Sequence, residues 1–295
     1  MDTRRHGSKR LRAIGIAVSL AIGLLAAGQT ALAGGPSTVG LGTATSFAVL
    51  AGAGITNTGP TTINGDVGTH PTTSQTGFGS VTINGTNHAG DAVTQGAKTD
   101  LITAYNTAAA AGPANPVVAD LGGQTLSPGV YNSASSLGLT GALTLSGGSS
   151  DVWIFQAGST LTTASGSSVV FIGGAGPCNV FWQIGSSATI GTGSAFAGTI
   201  MALESITVTT GATINGRALA RNGAVTLDTN VIGSSTCPPA AAPLPSAAPS
   251  IPSTATSQQD EAVDPWPLVV VIGGFALVFM SVMVTLRRLA AGEIG

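Results

Sequence analysis

The sequence predicts a mainly β protein whose central domain is a three-sided parallel β-solenoid with one α-helix packed alongside. Three observations predict this fold. Similar segments begin at Val152, Val180, Thr199 and Arg217, and the last two steps are about 18 to 19 residues long. Each segment joins short apolar or Thr-rich runs through corners of Gly or Asn. A single stretch of the central domain has helical spacing.

Each repeat contains a run in which apolar residues alternate with Thr or Ser. Successive side chains of a strand point to opposite faces. The equivalent inward residues are predicted to be Leu145, Leu161, Ile190, Val208 and Leu227. One outward column is then Thr144, Thr160, Thr189, Thr207 and Thr226, and the other is Ser146, Thr162, Gly191, Thr209 and Asp228. These columns predict a flat ladder of hydroxyl and methyl groups, although Thr and Ser are also ordinary residues of exposed strands.

Another side of the solenoid carries runs that are apolar at both odd and even positions, such as VWIF from Val152 and VFWQI from Val180. A strand that is apolar on both faces is covered on both faces. The expected cover is a helix over about Gly90 to Ala110, with Asp91 as N-cap and an end at Gly112. Its apolar stripe is Val93, Ala97, Leu101, Ala104, Tyr105 and Ala108.

The amino-terminal residues 1–33 are typical of a secretory signal peptide. Met1–Arg12 is basic, Ala13–Ala27 is apolar, and an A-x-A site at Ala31–Ala33 precedes Gly34. An uncleaved membrane anchor is the alternative. The sequence therefore predicts an exported domain over residues 34–237.

The carboxyl-terminal part is predicted to anchor this domain in the cell membrane. Residues 238–265 are rich in Pro, Ala and Ser and predict an extended stalk. Residues 266–288 contain the uncharged run Leu268–Leu286, which is long enough for a transmembrane helix. Arg287 and Arg288 follow it, so the tail 289–295 is expected in the cytoplasm with the domain outside.

Composition excludes several functional classes. Only 7% of the residues are charged, and the exported domain has no basic patch, so nucleic acid is a poor partner. The two cysteines, Cys178 and Cys237, predict a disulfide in an exported protein, with two free buried thiols as the alternative. Two cysteines without clustered histidines do not make a zinc site.

The sequence favours binding over catalysis. His70 and His88 lie in predicted loops, where a hydrogen-bonded loop histidine is a simpler interpretation than a metal ligand. No close pair of carboxylates suits glycoside hydrolysis, and no G-x-S-x-G motif occurs between a strand and a helix. We therefore expect no enzymatic activity, no metal and no cofactor.

One block is specific enough to indicate a family. The segment GTIMALESITVTTGATINGRALARNGAVTLDTN from Gly198, with TSFAVLAGAGITNTGPTTINGDVGTHP from Thr45, resembles the DUF3494 family of ice-binding-like domains. The resemblance extends over nearly all of Leu41 to Ile232. It implies a discontinuous right-handed β-solenoid with a long helix beside it. It also implies ice binding, inhibition of recrystallisation and, in some members, adhesion at the cell surface.

The predicted function is therefore that of a cell-surface protein that adsorbs to ice through a flat β-face. The predicted face consists of Thr144, Thr160, Thr162, Thr189, Thr207, Thr209 and Thr226. The alternative is a surface adhesin of the same fold that binds a polysaccharide or another cell. The motif TING also recurs at Thr62–Gly65, Thr82–Gly85 and Thr213–Gly216, and these copies are expected at equivalent corners, with the glycines turning the chain.

Overall fold

The computed structural model describes residues 35–233. The predicted signal peptide, stalk, membrane helix and tail, and also Cys237, lie outside these residues. Within the described range no helix is both long and apolar enough to cross a membrane.

The described residues form short strands, one α-helix, α1 (Ala92–Ala109), and 3-10 turns at Gly42–Ser46, Phe78–Ser80 and Pro177–Asn179. The strands are β1 (Phe47–Ala51), β2 (Gly54–Thr58), β3 (Thr61–Asn64), β4 (Asp66–Thr69), β5 (Gln75–Thr76), β6 (Val81–Asn84), β7 (Asn87–Ala89), β8 (Ala114–Pro116), β9 (Thr125–Leu126), β10 (Gly129–Ser133), β11 (Leu137–Leu139), β12 (Ala142–Ser146), β13 (Trp153–Ala157), β14 (Leu161–Thr163), β15 (Ser168–Ile172), β16 (Val180–Ile184), β17 (Ala188–Ile190), β18 (Ala195–Ala202), β19 (Ile206–Val208), β20 (Thr213–Ala220), β21 (Ala224–Asp228) and β22 (Val231–Gly233).

These strands stack in parallel as three faces. Face A has the order β8-β10-β13-β16-β18-β20-β1-β4-β7. Face B has the order β11-β14-β17-β19-β21-β2-β5. Face C has the order β9-β12-β15-β18-β20-β22-β3-β6, and the long strands β18 and β20 pass from face C to face A. The prediction of a three-sided parallel β-solenoid is confirmed.

The solenoid is discontinuous in sequence. The first three strands, β1, β2 and β3, pair with β20, β21 and β22, which are the last strands in the described chain. The chain then passes through α1 and starts again at β8, at the other end of face A. The first coils therefore lie on the last ones, and the solenoid is built from both directions.

A column of aromatic rings fills the solenoid interior. Trp182 stacks on Phe155 with ring centroids 4.1 Å apart and contacts Phe196 at 4.9 Å. Trp153 and Trp182 are fully buried, as the apolar runs predicted. Contacts of this kind stabilise a core beyond the area that they bury.

The helix α1 covers face A, as predicted. Asp91 caps it by accepting a hydrogen bond from the backbone N–H of Thr94 at 2.9 Å. Tyr105 donates to the carbonyl of Ile184 at 3.1 Å, which fixes the carboxyl-terminal half of the helix to β16. A second apolar cluster lies between the helix and the sheet and consists of residues such as Leu101, Ile154, Phe181, Met201 and Leu219.

The predicted helical stripe is wrong at one residue, which does not face the solenoid. Val93 is 48% exposed, whereas Thr94 and Lys98 are buried. The helix is rotated about its axis relative to the prediction, because polar side chains on its inner face hydrogen-bond to the solenoid. Lys98 donates to the carbonyl oxygen of Ala220 at 2.6 Å, and burial and the nearby Arg221 lower the pKa of Lys98 to about 8.

The three TING segments occupy one face in register, which confirms that they are equivalent. They form β3, β6 and the start of β20, all on face C. Gly65 and Gly216 have φ of 135° and 153° at the corner that leads to face A, whereas Gly85 has no positive φ. A Cβ on Gly216 would come within 2.0 Å of the carbonyl oxygen of Gly198 on the neighbouring coil.

Candidate binding face

Face B carries a column of threonines, one from each of six successive coils. We call this set the threonine column; in coil order it is Thr162, Thr189, Thr207, Thr226, Thr56 and Thr76. Gly138 continues the column at the end formed by β11. The register pairs each threonine directly with the next, so all six side chains point from the same face.

The packing below the column fixes these side chains outward. In five of the six strands the residue before the threonine is buried, and these residues are Leu161, Ala188, Ile206, Val225 and Ile55. Adjacent strands in a sheet lie about 4.8 Å apart, which sets the spacing of the hydroxyl groups along the column. Thr162, Thr226, Thr56 and Thr76 are exposed, and Thr189 and Thr207 are partly exposed.

Four of the predicted face residues belong to the column: Thr162, Thr189, Thr207 and Thr226. Thr144 does not, because it and Leu145 lie in β12 on face C. The predicted equivalence of Leu161 with Ile190 is also wrong, since Leu161 pairs with Ala188.

The reason for this misalignment is an inward threonine. Thr163 is 3% exposed and takes the place that Ile190 has in the next coil, and its hydroxyl accepts a hydrogen bond from the backbone N–H of Gly191 at 2.8 Å. Because this inner residue is polar, the sequence of β14 does not show the alternation of inward apolar and outward polar residues. Consequently Thr160 lies beside the column, two residues before Thr162, and donates to the hydroxyl of Ser136.

Polar side chains border the column on both sides, and they are hydrogen-bonded to other residues of the protein. Thr209 donates to the carbonyl oxygen of Ile190 at 2.8 Å, so its hydroxyl is already engaged. Asp228 lies beyond Thr226 and accepts hydrogen bonds from the hydroxyls of Thr210 and Thr229. The carboxylate of Asp228 is therefore held by neighbouring hydroxyl groups.

Two column members, Thr56 and Thr76, were not predicted. They come from β2, which pairs with the distant strand β21, and from β5, which pairs with β2. The alternation in GITNTG from Gly54 is a local signal for an outward Thr56. No local pattern indicates that β2 lies beside β21.

The cluster of titratable groups at the start of α1 is structural. His88 lies in β7 rather than in a loop, and its Nδ1 is 2.7 Å from a carboxylate oxygen of Asp91. The backbone N–H of Thr94 and then His88 lower the pKa of Asp91. Asp66 lies 4.0 Å from the other ring nitrogen. Among the described residues no group of three or more His, Cys, Asp or Glu side chains is arranged to hold a metal ion.

An open groove of about 610 Å³ lies beside the turn Gly42–Ser46 and the corner at Gly216. Its charged lining residue is Arg217, which is 7% exposed. Arg217 donates from Nε to the carbonyl oxygen of Thr45 at 3.0 Å, and burial lowers its pKa. The side chain therefore holds the turn against β20.

Known proteins are similar to this chain in sequence and in fold. The ice-binding-like family matches residues 49–233. An ice-binding protein of Nostoc sp. (strain HG1) is 52% identical over 66% of this chain and 74% of that protein. The crystal structure of an ice binding protein from an Antarctic biological consortium is 48% identical, with a TM-score of 0.66, over 67% of this chain and 91% of that one. The ice-binding protein of Antarctomyces psychrotrophicus is 44% identical, with a TM-score of 0.64, over 67% of this chain and 98% of that one. The chain therefore belongs to the ice-binding-like family, in which DUF3494 domains of this fold are found.

Proposed function

We propose that this protein binds ice and that the threonine column of face B is the surface that adsorbs to the crystal. The observation that carries the proposal is the register of six threonines on one β-face, where none of the six is buried among the described residues. The names of the Nostoc and Antarctic relatives support ice as the ligand.

The chemistry of the column suits a crystal of water. Threonine is stiff about χ1, so little side-chain entropy is lost on adsorption. Its hydroxyl hydrogen-bonds water while its methyl group limits the orientations that water takes. The column and its borders carry no Arg and no Lys, and the strongly hydrated ammonium of a Lys on its flexible stem would disturb an ordered water layer.

A polysaccharide is less well supported as the ligand. Aromatic rings that stack on sugars have to be exposed, but Trp153, Phe155 and Trp182 are fully buried inside the solenoid. The alternative of a surface adhesin for glycans therefore lacks its usual contact residues on the described faces.

Surface attachment is also a proposal and is supported by the sequence alone. A signal peptide at 1–33, a stalk at 238–265 and a helix at 266–288 would hold the domain outside the cell, with a cytoplasmic tail. Such a protein would hold the cell to ice or protect its envelope. Protease treatment of intact cells should release the domain, and recovery of the whole protein from the medium would contradict the anchor.

A disulfide between Cys178 and Cys237 would secure the point where the chain leaves the solenoid. Cys178 lies in the turn Pro177–Asn179 before β16, and the last described strand ends at Gly233. From β16 to β22 the stack crosses β18 and β20, which amounts to about 14 Å at the usual strand spacing. The four residues from Gly233 to Cys237 span about 13 Å when extended, so the bond is within reach.

The proposed function is tested by thermal hysteresis and crystal shape in a nanolitre osmometer. The sample is a fragment of residues 34–237, because the Antarctomyces relative consists almost wholly of the matched region and so folds without a stalk. The parent fragment should halt crystal growth below the melting point, and Thr207→Tyr should reduce that gap. Thr99→Tyr is the matched control, since Thr99 is exposed on α1. A folded parent fragment without hysteresis would refute ice binding.

A further inference from the structure

Face C carries a second ordered array, which is formed by the TING segments. Its outer positions in four neighbouring coils form two columns, and we call their polar members the T-x-N patch. One column is Thr213, Val231, Thr62 and Thr82, and the other is Asn215, Gly233, Asn64 and Asn84. We infer that the T-x-N patch is a second ice-adsorbing surface, which takes a different crystal plane from the threonine column; this inference rests on the proposed function.

The fold requires the inner residues of these segments but not the outer ones. Ile63 and Ile214 are at most 1% exposed and belong to the core of the solenoid. In the same two columns β22 carries Val231 and Gly233, so a coil forms there without Thr and Asn. Packing therefore does not account for the threefold recurrence of the outer pair.

The patch is a rigid two-dimensional lattice. The strands β3 and β6 repeat it at about 4.8 Å, and Thr and Asn of one strand lie about 6.6 Å apart. The copy in β20 lies two strand spacings from β3, because β22 lies between them. The amide of Asn84 donates to the side-chain oxygen of Asn64 at 2.8 Å, which aligns the amide groups of adjacent coils. Thr82, Asn84, Thr213 and Asn215 are exposed.

The charge pattern favours ice over a protein or a sugar. The strands of face C contain one charged residue, Arg217, and it lies in the second half of β20, which belongs to face A. Asp66, the nearest carboxylate in sequence, follows the corner at Gly65 and lies on face A beside His88. No aromatic side chain points outward from the strands of face C, and Val231 is the one large exposed apolar residue of the two columns, which leaves little apolar area there for a second protein chain. The other large exposed apolar residues of this face, Val170 and Ile172, lie on β15, outside these four coils.

Because faces B and C are different sides of the solenoid, one molecule cannot lay both on the same crystal plane. The protein should therefore adsorb to two sets of planes of a single crystal. Each surface should bind one set of planes, so a variant that loses one surface should still label the planes that the other surface binds.

The test is adsorption of the fluorescently labelled fragment 34–237 to a single-crystal ice hemisphere. The patch variant is Thr82→Tyr with Thr213→Tyr, the column variant is Thr207→Tyr with Thr226→Tyr, and Thr99→Tyr is the control. The patch variant should lose one set of labelled planes and the column variant the other, with the control unchanged. Asn84→Lys on the edge strand β6 is a second patch variant if the tyrosines unfold the protein, as judged by thermal unfolding.

The outcomes separate the two proposals. If the parent fragment labels no plane, ice binding itself fails. If the parent labels ice and both patch variants keep its pattern, or if the column variant loses all labelling, the second surface is refuted while ice binding by face B stands.

Discussion

A tyrosine in the middle of the threonine column should weaken ice adsorption much more than a tyrosine at its end. Thr226 has Thr207, Thr189 and Thr162 on one side and Thr56 and Thr76 on the other. A phenol ring at position 226 stands above its neighbours, so a flat crystal retains at most the three threonines on one side. A ring at position 76 leaves the other five in contact.

The magnitude follows from counting the lost contacts. Each threonine contact is taken as about 0.5–1 kcal/mol, in the range of a net hydrogen bond. Loss of three contacts in Thr226→Tyr then weakens adsorption by about 1.5–3 kcal/mol, or roughly 10- to 100-fold. Loss of one contact in Thr76→Tyr corresponds to roughly 2- to 5-fold.

The assay is the lowest concentration of fragment 34–237 that still prevents ice recrystallisation. That concentration should rise tenfold or more for Thr226→Tyr, a few-fold for Thr76→Tyr, and not at all for Thr99→Tyr. Thermal unfolding should be alike in all three. Equal effects at positions 226 and 76, or full activity of folded Thr226→Tyr, would refute the reasoning that a contiguous column binds the crystal.

Three further predictions concern stability. Lys98→Met should lower the free energy of unfolding by about 1–3 kcal/mol in urea titrations, because it leaves the carbonyl oxygens of Ala220 and Arg221 without this donor. The free energy of unfolding of the parent should also increase as the pH rises from about 8 towards about 10.4, because the native state releases the Lys98 proton at a lower pH than the unfolded state does. Lys98→Met should lack this increase, and parallel curves of stability against pH for the two proteins would contradict the lowered pKa of Lys98. Gly216→Ala should destabilise the fragment by at least about 1 kcal/mol, because φ is 153° and the new Cβ meets a neighbouring carbonyl; Gly79→Ala, in open space at an ordinary φ, is the control, and equal melting temperatures would contradict this. The fragment should show no free thiols until it is reduced, and two titratable thiols would show that Cys178 and Cys237 are not joined. Cys178→Ser should lower the free energy of unfolding by about 4 kcal/mol, because the disulfide would close a loop of roughly 60 residues.

The sequence predicts the regular part of the solenoid well because packing dictates it. The run of coils from β16 to β21 has a nearly constant step and strict alternation, so Thr189, Thr207 and Thr226 align as expected. The helix and its cap follow from its spacing and from Asp91. In these elements the local pattern and the tertiary contacts agree.

The failures occur where the local pattern and the tertiary contacts differ. Thr163 is a polar residue on the inner face, so β14 is read two residues out of register. Thr56 and Thr76 join the column only because the first coils stack on the last ones. Val93 is exposed because Lys98 and Tyr105 orient α1 through hydrogen bonds to distant carbonyls, which a stripe of apolar residues does not reveal.

The most direct test of the account is the partition of fragment 34–237 between growing ice and the remaining liquid. The parent and Thr99→Tyr should be enriched in the ice fraction relative to a protein that does not bind ice. Thr207→Tyr combined with Thr226→Tyr should shift much of the protein into the liquid while it remains folded. Exclusion of the parent from ice, or undiminished enrichment of the double variant, would contradict ice binding through the threonine column.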